Sequence, residues 1–322
     1  MKKPSISIIL VTYNREHYLR RSLESVQSQT LSDFELILIN NGSTDGTADI
    51  CRQYAEKDNR IKLINIEKNS GAAQGRNAGL DAASCEYVTI VDDDDFCEEG
   101  MLEHLWNLTE EHHADISMCG SWNDFDDRSE PYYIYDDLLI LDKIKGLDEL
   151  LKREKYNVAP PTKLFRKKLF NGIRFIEGML VDDIHVIYKA FANANKIVAK
   201  GIPLYHFRKH GGNMTGFIHS NNLTPELLEE YLSMYSERTQ YLSERVPEII
   251  SRARYSEWSF MISMCDKIVT FGCEDCIEEY NLMMNRIRNQ YDEFWNTPFT
   301  TNKEKELIKK HLNRRPFKEE LL

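Results

Sequence analysis

The stretch YVTIVDDDD, residues 87–95, places four consecutive aspartates directly after a short apolar run. An apolar run without alternation is typical of a strand that is buried on both faces of a parallel sheet. Carboxylates at the end of such a strand repel one another and lose water, which argues against the alternative of a purely structural cap. Hard cations such as Mg²⁺ bind carboxylate oxygens together with substrate phosphates, so the stretch predicts a metal–diphosphate site.

The segments that precede this stretch predict the fold around it. Apolar segments alternate with segments of helical character, in the order 6–11, 16–29, 34–39, 45–55 and 61–66. Strands that alternate with amphipathic helices predict an α/β layer, a Rossmann-like and mostly parallel sheet with helices on both faces.

The pattern changes in the second half of the chain. A helix around 101–112 and a strand at 115–119 continue the α/β pattern. The polar and aromatic stretch that follows, residues 122–135, predicts an irregular segment, and short elements are expected from there up to about residue 208. From Pro225 the chain contains a single glycine and apolar residues at helical spacing. This predicts a C-terminal helical domain of about four helices over residues 225–322.

Composition excludes several classes of protein. The 322 residues are 42% apolar and 29% charged, which predicts a globular chain of about two domains. With 52 acidic and 41 basic residues the net charge is −11, so we expect no nucleic-acid partner and only a local phosphate site. Seven scattered cysteines and no apolar segment near about 20 residues favour a cytoplasmic protein, or one peripheral at the inner face of a membrane.

Polar residues follow the other predicted strands, where ligands bind in parallel α/β sheets. TYNR (12–15) follows the first strand, and NNGSTDG (40–46) follows the second with a composition that a simple turn and helix start also explains. NSGAAQGRNAG (69–79) is neither GxGxxG nor a P-loop, so those nucleotide motifs are not supported. Its glycines allow close packing or close approach of a ligand, and Arg76 can reach an anion.

Taken in order, residues 5–15, 41–46, 69–80 and 91–95 resemble family 2 glycosyltransferases of the GT-A fold. The resemblance implies a GT-A domain over 1–220, with a nucleotide-sugar-binding half at 1–119 and an acceptor-binding half at 120–220. It implies an inverting hexosyltransferase of bacterial surface polysaccharide type, such as cell wall or capsule. The sugar would pass from a nucleotide diphosphate to a hydroxyl of a glycan or polysaccharide acceptor, free or lipid-linked.

The resemblance also implies roles for single residues. Asp92 and Asp94 correspond to a DxD pair, with Asp92 towards the ribose and Asp94 on Mn²⁺ or Mg²⁺; Asp95 is a second metal ligand or an acceptor-side group. His210 is a further metal ligand. The other residues expected at the donor are Thr12, Tyr13, Asn14, Arg15, Asn40, Asn41, Ser43, Asp45, Gly71, Arg76, Asp93, Lys163 and Arg208.

Family members commonly have an acidic residue at the position of Asn40 or Asn41, where it accepts a base N–H. This chain has amides at both positions. An amide oxygen can still accept from the N3–H of uracil or thymine, so a pyrimidine donor, a UDP-sugar above all, is favoured.

A second acidic pair, Asp182 and Asp183, lies at the start of a helical pattern. Capping of that helix is the structural alternative, because carboxylates are stabilised at helix N-termini. The resemblance makes Asp183 the general base and Asp182 an acceptor-side residue. Inverting transfer needs one carboxylate to take the acceptor proton while a metal stabilises the leaving diphosphate. Trp122 is expected either to stack on an acceptor sugar or to belong to a satellite core.

Two other functions remain as alternatives. A catalytically silent nucleotide-sugar-binding or scaffold protein would not need the acidic clusters. A nucleotidyltransferase shares the α/β layer but normally has a glycine-rich basic loop after its first strand, where this chain has TYNR. The predicted C-terminal helices bury their apolar faces either on the first domain or in a homo-oligomer.

Overall fold

The computed structural model describes residues 5–69, 71–211 and 223–314. The chain divides into two compact units, Met1–Gly211 and Gly212–Leu322. The domain boundary expected at residues 220–225 lies partly outside the described residues.

Among the described residues of the first unit, ten strands join in one sheet. They are β1 (Ile6–Thr12), β2 (Phe34–Asn41), β3 (Ile61–Ile66), β4 (Tyr87–Ile90), β5 (Phe96–Cys97), β6 (Ile116–Asp124), β7 (Ser129–Tyr132), β8 (Tyr135–Asp142), β9 (Lys163–Arg166) and β10 (Lys196–Arg208). The α-helices described in this unit are α1 (Leu19–Gln27), α2 (Thr47–Lys57), α3 (Ala72–Ala82), α4 (Met101–His112), α5 (Lys143–Lys152) and α6 (Ile187–Asn193).

The strand order is β3-β2-β1-β4-β9-β6-β10-β5, with β7 beside β6 and β8 beside β10. The first four strands are parallel, and their register pairs Thr12 with Asn40. The carboxyl ends of these strands therefore meet at one edge of the sheet, which brings the polar segments that follow them together. The later strands add antiparallel pairs, such as β4 with β9 and β10 with β8.

Helices cover both faces because alternate residues of β1 point in opposite directions. Ile8 and Leu10 belong to a buried cluster that includes Leu23 of α1 and Leu105 of α4. On the opposite face α3 approaches Ile9 and Val11, and a Cβ on Gly75 or Gly79 would lie 2.4 Å from their side chains. Of the two roles considered for these glycines, the structure supports close packing. The predicted fold, a Rossmann-like sheet followed by helices, is confirmed.

Irregular structure was the wrong prediction for residues 122–135. Of the short elements expected from there to about residue 208, β9 and α6 are short, whereas β10 has 13 residues. β6 continues to Asp124, and β7, β8 and the long β10 follow in the same sheet. β8 and β10 pair with strands remote in sequence, and every side chain of β8 is exposed or half-exposed, so burial imposes no long apolar run on it. Four-residue β9 is too short to produce a pattern.

The second unit has five α-helices among its described residues, where about four were expected. They are α7 (Pro225–Arg245), α8 (Ile250–Phe271), α9 (Ile277–Asn289), α10 (Tyr291–Asn296) and α11 (Asn302–Leu312). The extra helix, α10, is six residues long and follows α9 after Gln290. The unit has a core of its own that includes Trp258, Met283 and Phe294. Across the described residues, no helix combines the length and apolarity needed to cross a bilayer.

Candidate active site

The loops after β1 and β2 are joined by hydrogen bonds. Asn14, at a φ of 51°, accepts from the Thr44 backbone N–H at 2.8 Å, and its own backbone N–H donates to Ser43 Oγ at 3.2 Å. Asp45 accepts from the Thr47 backbone N–H at 2.9 Å, which secures the first turn of α2. Asn14, Ser43 and Asp45, expected at the donor, therefore shape the two loops that would surround it.

The adjacent asparagines have different surroundings. The Asn40 amide is satisfied, since it donates to Asn65 Oδ1 at 3.0 Å and accepts from the Ser43 backbone N–H at 3.2 Å. Asn41 donates to Asn69 Oδ1 at 3.0 Å and to the Gly71 carbonyl at 2.9 Å. Its Oδ1 is buried and has no hydrogen-bond partner within the described ranges. A buried acceptor without a partner is costly, so this oxygen is suited to an N–H of a ligand.

The aspartate run lies at the end of β4, where burial dominates its electrostatics. Burial raises the pKa of Asp93 to about 7, and the charge of Asp94 adds to the effect. Burial also raises the pKa of Asp92 and of Asp95. Arg15 supplies partial compensation, with Nε 3.5 Å from Asp93 and Nη2 3.7 Å from Asp94. Buried like charges of this kind favour a cation at the site.

Asp94 and His210 form the pair best placed to hold that cation. His210 Nε2 lies 3.1 Å from Asp94 Oδ2, and the Tyr18 ring stacks on the imidazole with centroids 4.4 Å apart. Arg208 lies over the same tyrosine, 4.9 Å from its centroid. Asp95 is engaged elsewhere, because it accepts from Tyr205 Oη at 2.9 Å and from the Arg208 backbone N–H at 2.8 Å.

One carboxylate and one imidazole fit a cation that completes its coordination with substrate oxygens. No group of three or more metal-ligating side chains occurs among the residues whose placement is known. Mg²⁺ is commonly held by one or two carboxylates with phosphates, and imidazole also suits transition metals. Asp94 and His210 therefore match the donor set of an ion bound together with a diphosphate.

Arg76 on α3 connects the aspartate run to the second acidic pair. Its Nη2 lies 3.2 Å from Asp92, and its Nη1 forms an ion pair with Asp182. The guanidinium lies over Phe175, 5.5 Å from the ring centroid. The sequence suggested that Arg76 reaches an anion of the ligand, whereas here it links two carboxylates of the protein. Residues more than 100 positions apart thereby share one site.

Asp183 begins a 3-10 turn, Asp183–His185, that leads towards α6. Asp182, at the N-cap position of that turn, makes no side-chain capping bond. Asp183 Oδ1 is buried and has no hydrogen-bond partner in the described part of the chain. Burial raises the pKa of Asp183 to about 7, although Arg76 opposes the shift. The missing capping bond argues against a structural cap by Asp182, and the elevated pKa suits Asp183 to accept a proton near neutral pH.

The remaining candidate residues lie in varied surroundings. Lys163 is fully buried in β9, where Nζ donates to the Ala159 carbonyl at 2.6 Å and burial lowers its pKa to about 7. Tyr13 is 38% exposed, and its backbone N–H donates to Asp93 at 3.3 Å. Thr12 is buried at the end of β1, Gly71 has open space around it, and Trp122 is half-buried in β6.

Sequence reasoning missed three residues of this site. Tyr205 on β10 donates to Asp95 and accepts from the Asp92 backbone N–H at 3.1 Å. Tyr18 stacks on His210, and Asn69 receives the Asn41 amide. Tyr205 and Asp95 are 110 residues apart, so no local pattern could have paired them.

Comparisons with known proteins concern the family and the fold of the chain. The family described as "Glycosyl transferase family 2" matches residues 7–174. Glycosyltransferase GlyG of Streptococcus pneumoniae serotype 4 is 33% identical over 220 residues, which are 65% of this chain and 72% of GlyG. The putative teichuronic acid biosynthesis glycosyltransferase TuaG of Bacillus subtilis is 37% identical over 118 residues, or 37% of this chain and 47% of TuaG.

Among solved structures, S. aureus TarS 1-349 in complex with UDP-GlcNAc matches with a TM-score of 0.62 at 21% identity, covering 90% of this chain and 89% of that one. This likeness concerns the fold. The family resemblance inferred from residues 5–95 is confirmed by the family match. The chain belongs to glycosyltransferase family 2 and has the GT-A fold.

Proposed function

We propose that the chain is an inverting, metal-dependent hexosyltransferase that moves a sugar from a UDP-sugar to a hydroxyl of a glycan or polysaccharide acceptor. Glycosyl transfer follows from the family. The observation that carries the finer proposal is the environment of Asp183, whose buried carboxyl has an oxygen without a partner among the described residues. Its neighbour Asp182 is tied through Arg76 to Asp92, so a proton acceptor adjoins the donor-side aspartates.

In the proposed reaction the acceptor hydroxyl attacks the anomeric carbon on the face opposite the nucleotide. The bond from that carbon to the diphosphate oxygen breaks as the new glycosidic bond forms, and the hydroxyl proton moves to Asp183. One carboxylate is sufficient because no covalent intermediate forms. A pKa of about 7 leaves a large fraction of Asp183 in the basic form at neutral pH.

The proposal of a uridine donor is supported by Asn41. Its buried Oδ1, for which the described residues offer no partner, can accept the N3–H of uracil. Solved complexes of S. aureus TarS contain UDP-GlcNAc or UDP. Thr12 and Tyr13, which end β1 and begin the next loop, are proposed to contact the base and ribose.

The proposal of metal dependence is supported by the donor set of Asp94 and His210. Mn²⁺ or Mg²⁺ bound there would neutralise charge that develops on the departing diphosphate. Arg15 lies 3.7 Å from Asp94 and contributes positive charge from the loop after β1. Asp92, held by Arg76, is proposed to bind the ribose.

The two alternatives have less support. Family membership argues against a nucleotidyltransferase. A silent scaffold would gain nothing from buried, mutually repelling carboxylates at one end of the sheet.

A polysaccharide acceptor is supported by the name of TuaG, which assigns that relative to teichuronic acid biosynthesis.

A screen of nucleotide sugars tests the proposal. Release of nucleotide from UDP-, dTDP- and GDP-sugars is measured with Mn²⁺ and again with EDTA. We expect UDP-sugars to be hydrolysed and EDTA to abolish the hydrolysis. Preference for a GDP-sugar contradicts the donor assignment, and hydrolysis that survives EDTA contradicts the metal. Proton NMR of a transferred sugar gives its anomeric configuration, and retention would contradict the role of Asp183.

A further inference from the structure

The second unit contains a cavity of its own, with a volume of about 340 Å³. This lies at the lower end of the range for small-molecule sites. Helices α7 and α8 supply most of its walls, Gln290 adds to them from the turn after α9, and the cavity lies among described residues of this unit alone. Its lining residues are Ser236, Thr239, Gln240, Ser243, Ile250, Arg254, Glu257, Trp258 and Gln290.

The polar wall is organised around Glu257, whose side chain is 14% exposed. Its carboxylate accepts from Ser236 Oγ at 3.1 Å and from Thr239 Oγ1 at 2.9 Å. Thr239 Oγ1 keeps acceptor capacity when it donates in this way, whereas Ser236 Oγ also accepts from Arg286 Nη1 at 3.1 Å. The amide nitrogen of Gln290 has no hydrogen-bond partner within the described ranges, so it adds a donor. Donors and acceptors therefore stand side by side, which is what sugar hydroxyls require, since each both donates and accepts.

The cavity also has an apolar part. Trp258 is 2% exposed, and its indole Nε1 donates to Gln290 Oε1 at 2.6 Å, which orients both side chains. Ile250 continues this part of the wall. A small apolar surface beside many polar groups matches a ring that has C–H groups on its faces and hydroxyls at its edge.

The charges at the cavity are balanced. Arg254 pairs with Glu293 at 2.6 Å, and Arg286 lies 3.7 Å from Glu257. A phosphate or a nucleotide would meet the Glu257 carboxylate without a surplus of cations to offset it. The lining therefore favours a neutral ligand.

From this geometry we propose that the second unit contains a binding site for neutral glycan, separate from the site at the end of β4. The inference goes beyond the proposed function and does not depend on it, because the lining residues belong to the second unit only. A second glycan site on the same chain raises the effective concentration of acceptor ends.

The test is saturation-transfer NMR on the full chain with glucose, galactose, N-acetylglucosamine and their disaccharides as probes. UDP and diamagnetic Mg²⁺ are present in excess to occupy the donor site. We expect transfer from the protein to at least one sugar. Ser243→Tyr fills the exposed rim of the cavity and should reduce that signal at least about fivefold, whereas Ser233→Tyr, exposed on the same helix and outside the cavity, should leave it unchanged.

Thr239→Val is a second variant that keeps volume while removing one hydroxyl, and it should weaken binding at least about threefold. It decides the question if Ser243→Tyr fails to fold. Absence of transfer to every sugar in the wild-type chain overturns the proposal. Binding that neither cavity variant reduces also overturns it. Donor hydrolysis, measured separately, distinguishes this failure from failure of the proposed enzymatic function.

Discussion

Asp182 and Asp183 are neighbours in sequence, but their side chains have different surroundings. Asp182 holds the guanidinium of Arg76. Asp183 Oδ1 has no partner among the residues described, and burial raises its pKa to about 7. A carboxyl with this pKa exchanges a proton readily near neutral pH, which is the property that a general base needs.

Replacement of the base tests this role. Asp183→Asn keeps the size of the side chain and removes its basicity, so UDP should bind as in the wild type while transfer falls at least about a hundredfold. In the wild type, transfer should decline as pH falls through about 7, because Asp183 becomes protonated. Kinetics and calorimetry measure both effects, with the exposed Asp137→Asn as control. Near-normal transfer by Asp183→Asn would refute the assignment.

The same pKa predicts an effect on stability. The folded-state pKa of Asp183 lies above the ordinary value of 3.8, so the unfolded chain loses this proton first as pH rises. Stability should therefore decrease between about pH 4 and 7, by up to about 4 kcal/mol, and the loss is complete above that range.

Asp183→Asn removes this loss of stability. Calorimetry should find a higher melting temperature than wild type at pH 8 and a much smaller difference at pH 4. A variant that melts earlier than wild type at pH 8 would instead support the helix-cap interpretation.

The two asparagines at the end of β2 should respond differently to a carboxylate. Asn40→Asp faces the exposed Asn65, whose amide can rotate to donate, so UDP affinity should change less than about threefold. Asn41→Asp replaces a donating amide nitrogen by an oxygen that faces two acceptors, the Gly71 carbonyl and Asn69 Oδ1. The Asn69 amide is held in its orientation, because its Oδ1 accepts from the Gly71 backbone N–H at 2.9 Å. We expect a lower melting temperature and at least tenfold weaker UDP binding, because the variant leaves a buried polar group without a hydrogen-bond partner. Equal affinities for the two variants would contradict this account.

At the scale of elements, the approach of α3 to β1 determines where the loop before α3 lies. Glycines at 75 and 79 let the helix backbone approach Val11 and Ile9. Arg76 and Asn77 follow on the same helix, and Asn77 exchanges hydrogen bonds with the Phe175 backbone at 2.9 Å. Close packing of the helix thus places Arg76 between its two carboxylates.

Gly75→Ala tests this packing. The new Cβ would lie 2.4 Å from Val11 Cγ1, so overpacking should reduce the free energy of unfolding by about 1–3 kcal/mol, partly offset by the better helix propensity of alanine. Gly100→Ala is the matched control, because nothing lies within 4 Å of its added Cβ. Urea unfolding compares the two variants. A Gly75→Ala protein as stable as the control would mean that the contact between α3 and β1 is not tight.

At the scale of the whole molecule, the candidate site residues and the second hydrophobic core lie in different compact units. Every candidate catalytic and donor-binding residue, from Thr12 to His210, lies in Met1–Gly211. The second unit buries aromatic and methionine side chains within its own core, including Trp258, Met261 and Phe294. Its described helices therefore bury apolar surface against one another.

We expect each unit to fold alone. A chain that ends after Gly211 should bind UDP and hydrolyse donor, and residues 223–322 should give a helical circular dichroism spectrum with cooperative melting. Light scattering of the full chain and of both parts then tests the homo-oligomer hypothesis: a multimer that persists only where residues 223–322 are present would support it. A first part that precipitates or a second part that melts without cooperativity would contradict independent folding.

The sequence by itself determined the first half of the fold and the general location of the site. Near-continuous apolar runs marked β1, β2 and β4, because strands buried on both faces need apolar residues throughout. The sequence also predicted that the four aspartates after β4 lie close to the polar loops after β1 and β2, because parallel strands end at one edge of the sheet.

Only the tertiary structure decided the contacts that give these residues their chemistry. Tyr205 donates to Asp95, which lies 110 residues before it in sequence. Arg76 joins Asp92 to Asp182, and Arg76 and Asp182 are 106 residues apart in sequence. The burial that raises the pKa of Asp183 depends on segments remote in sequence, and so does the pairing of β8 and of β6 with β10. Local periodicity reports the environment of one segment, and these properties belong to pairs of segments remote in sequence.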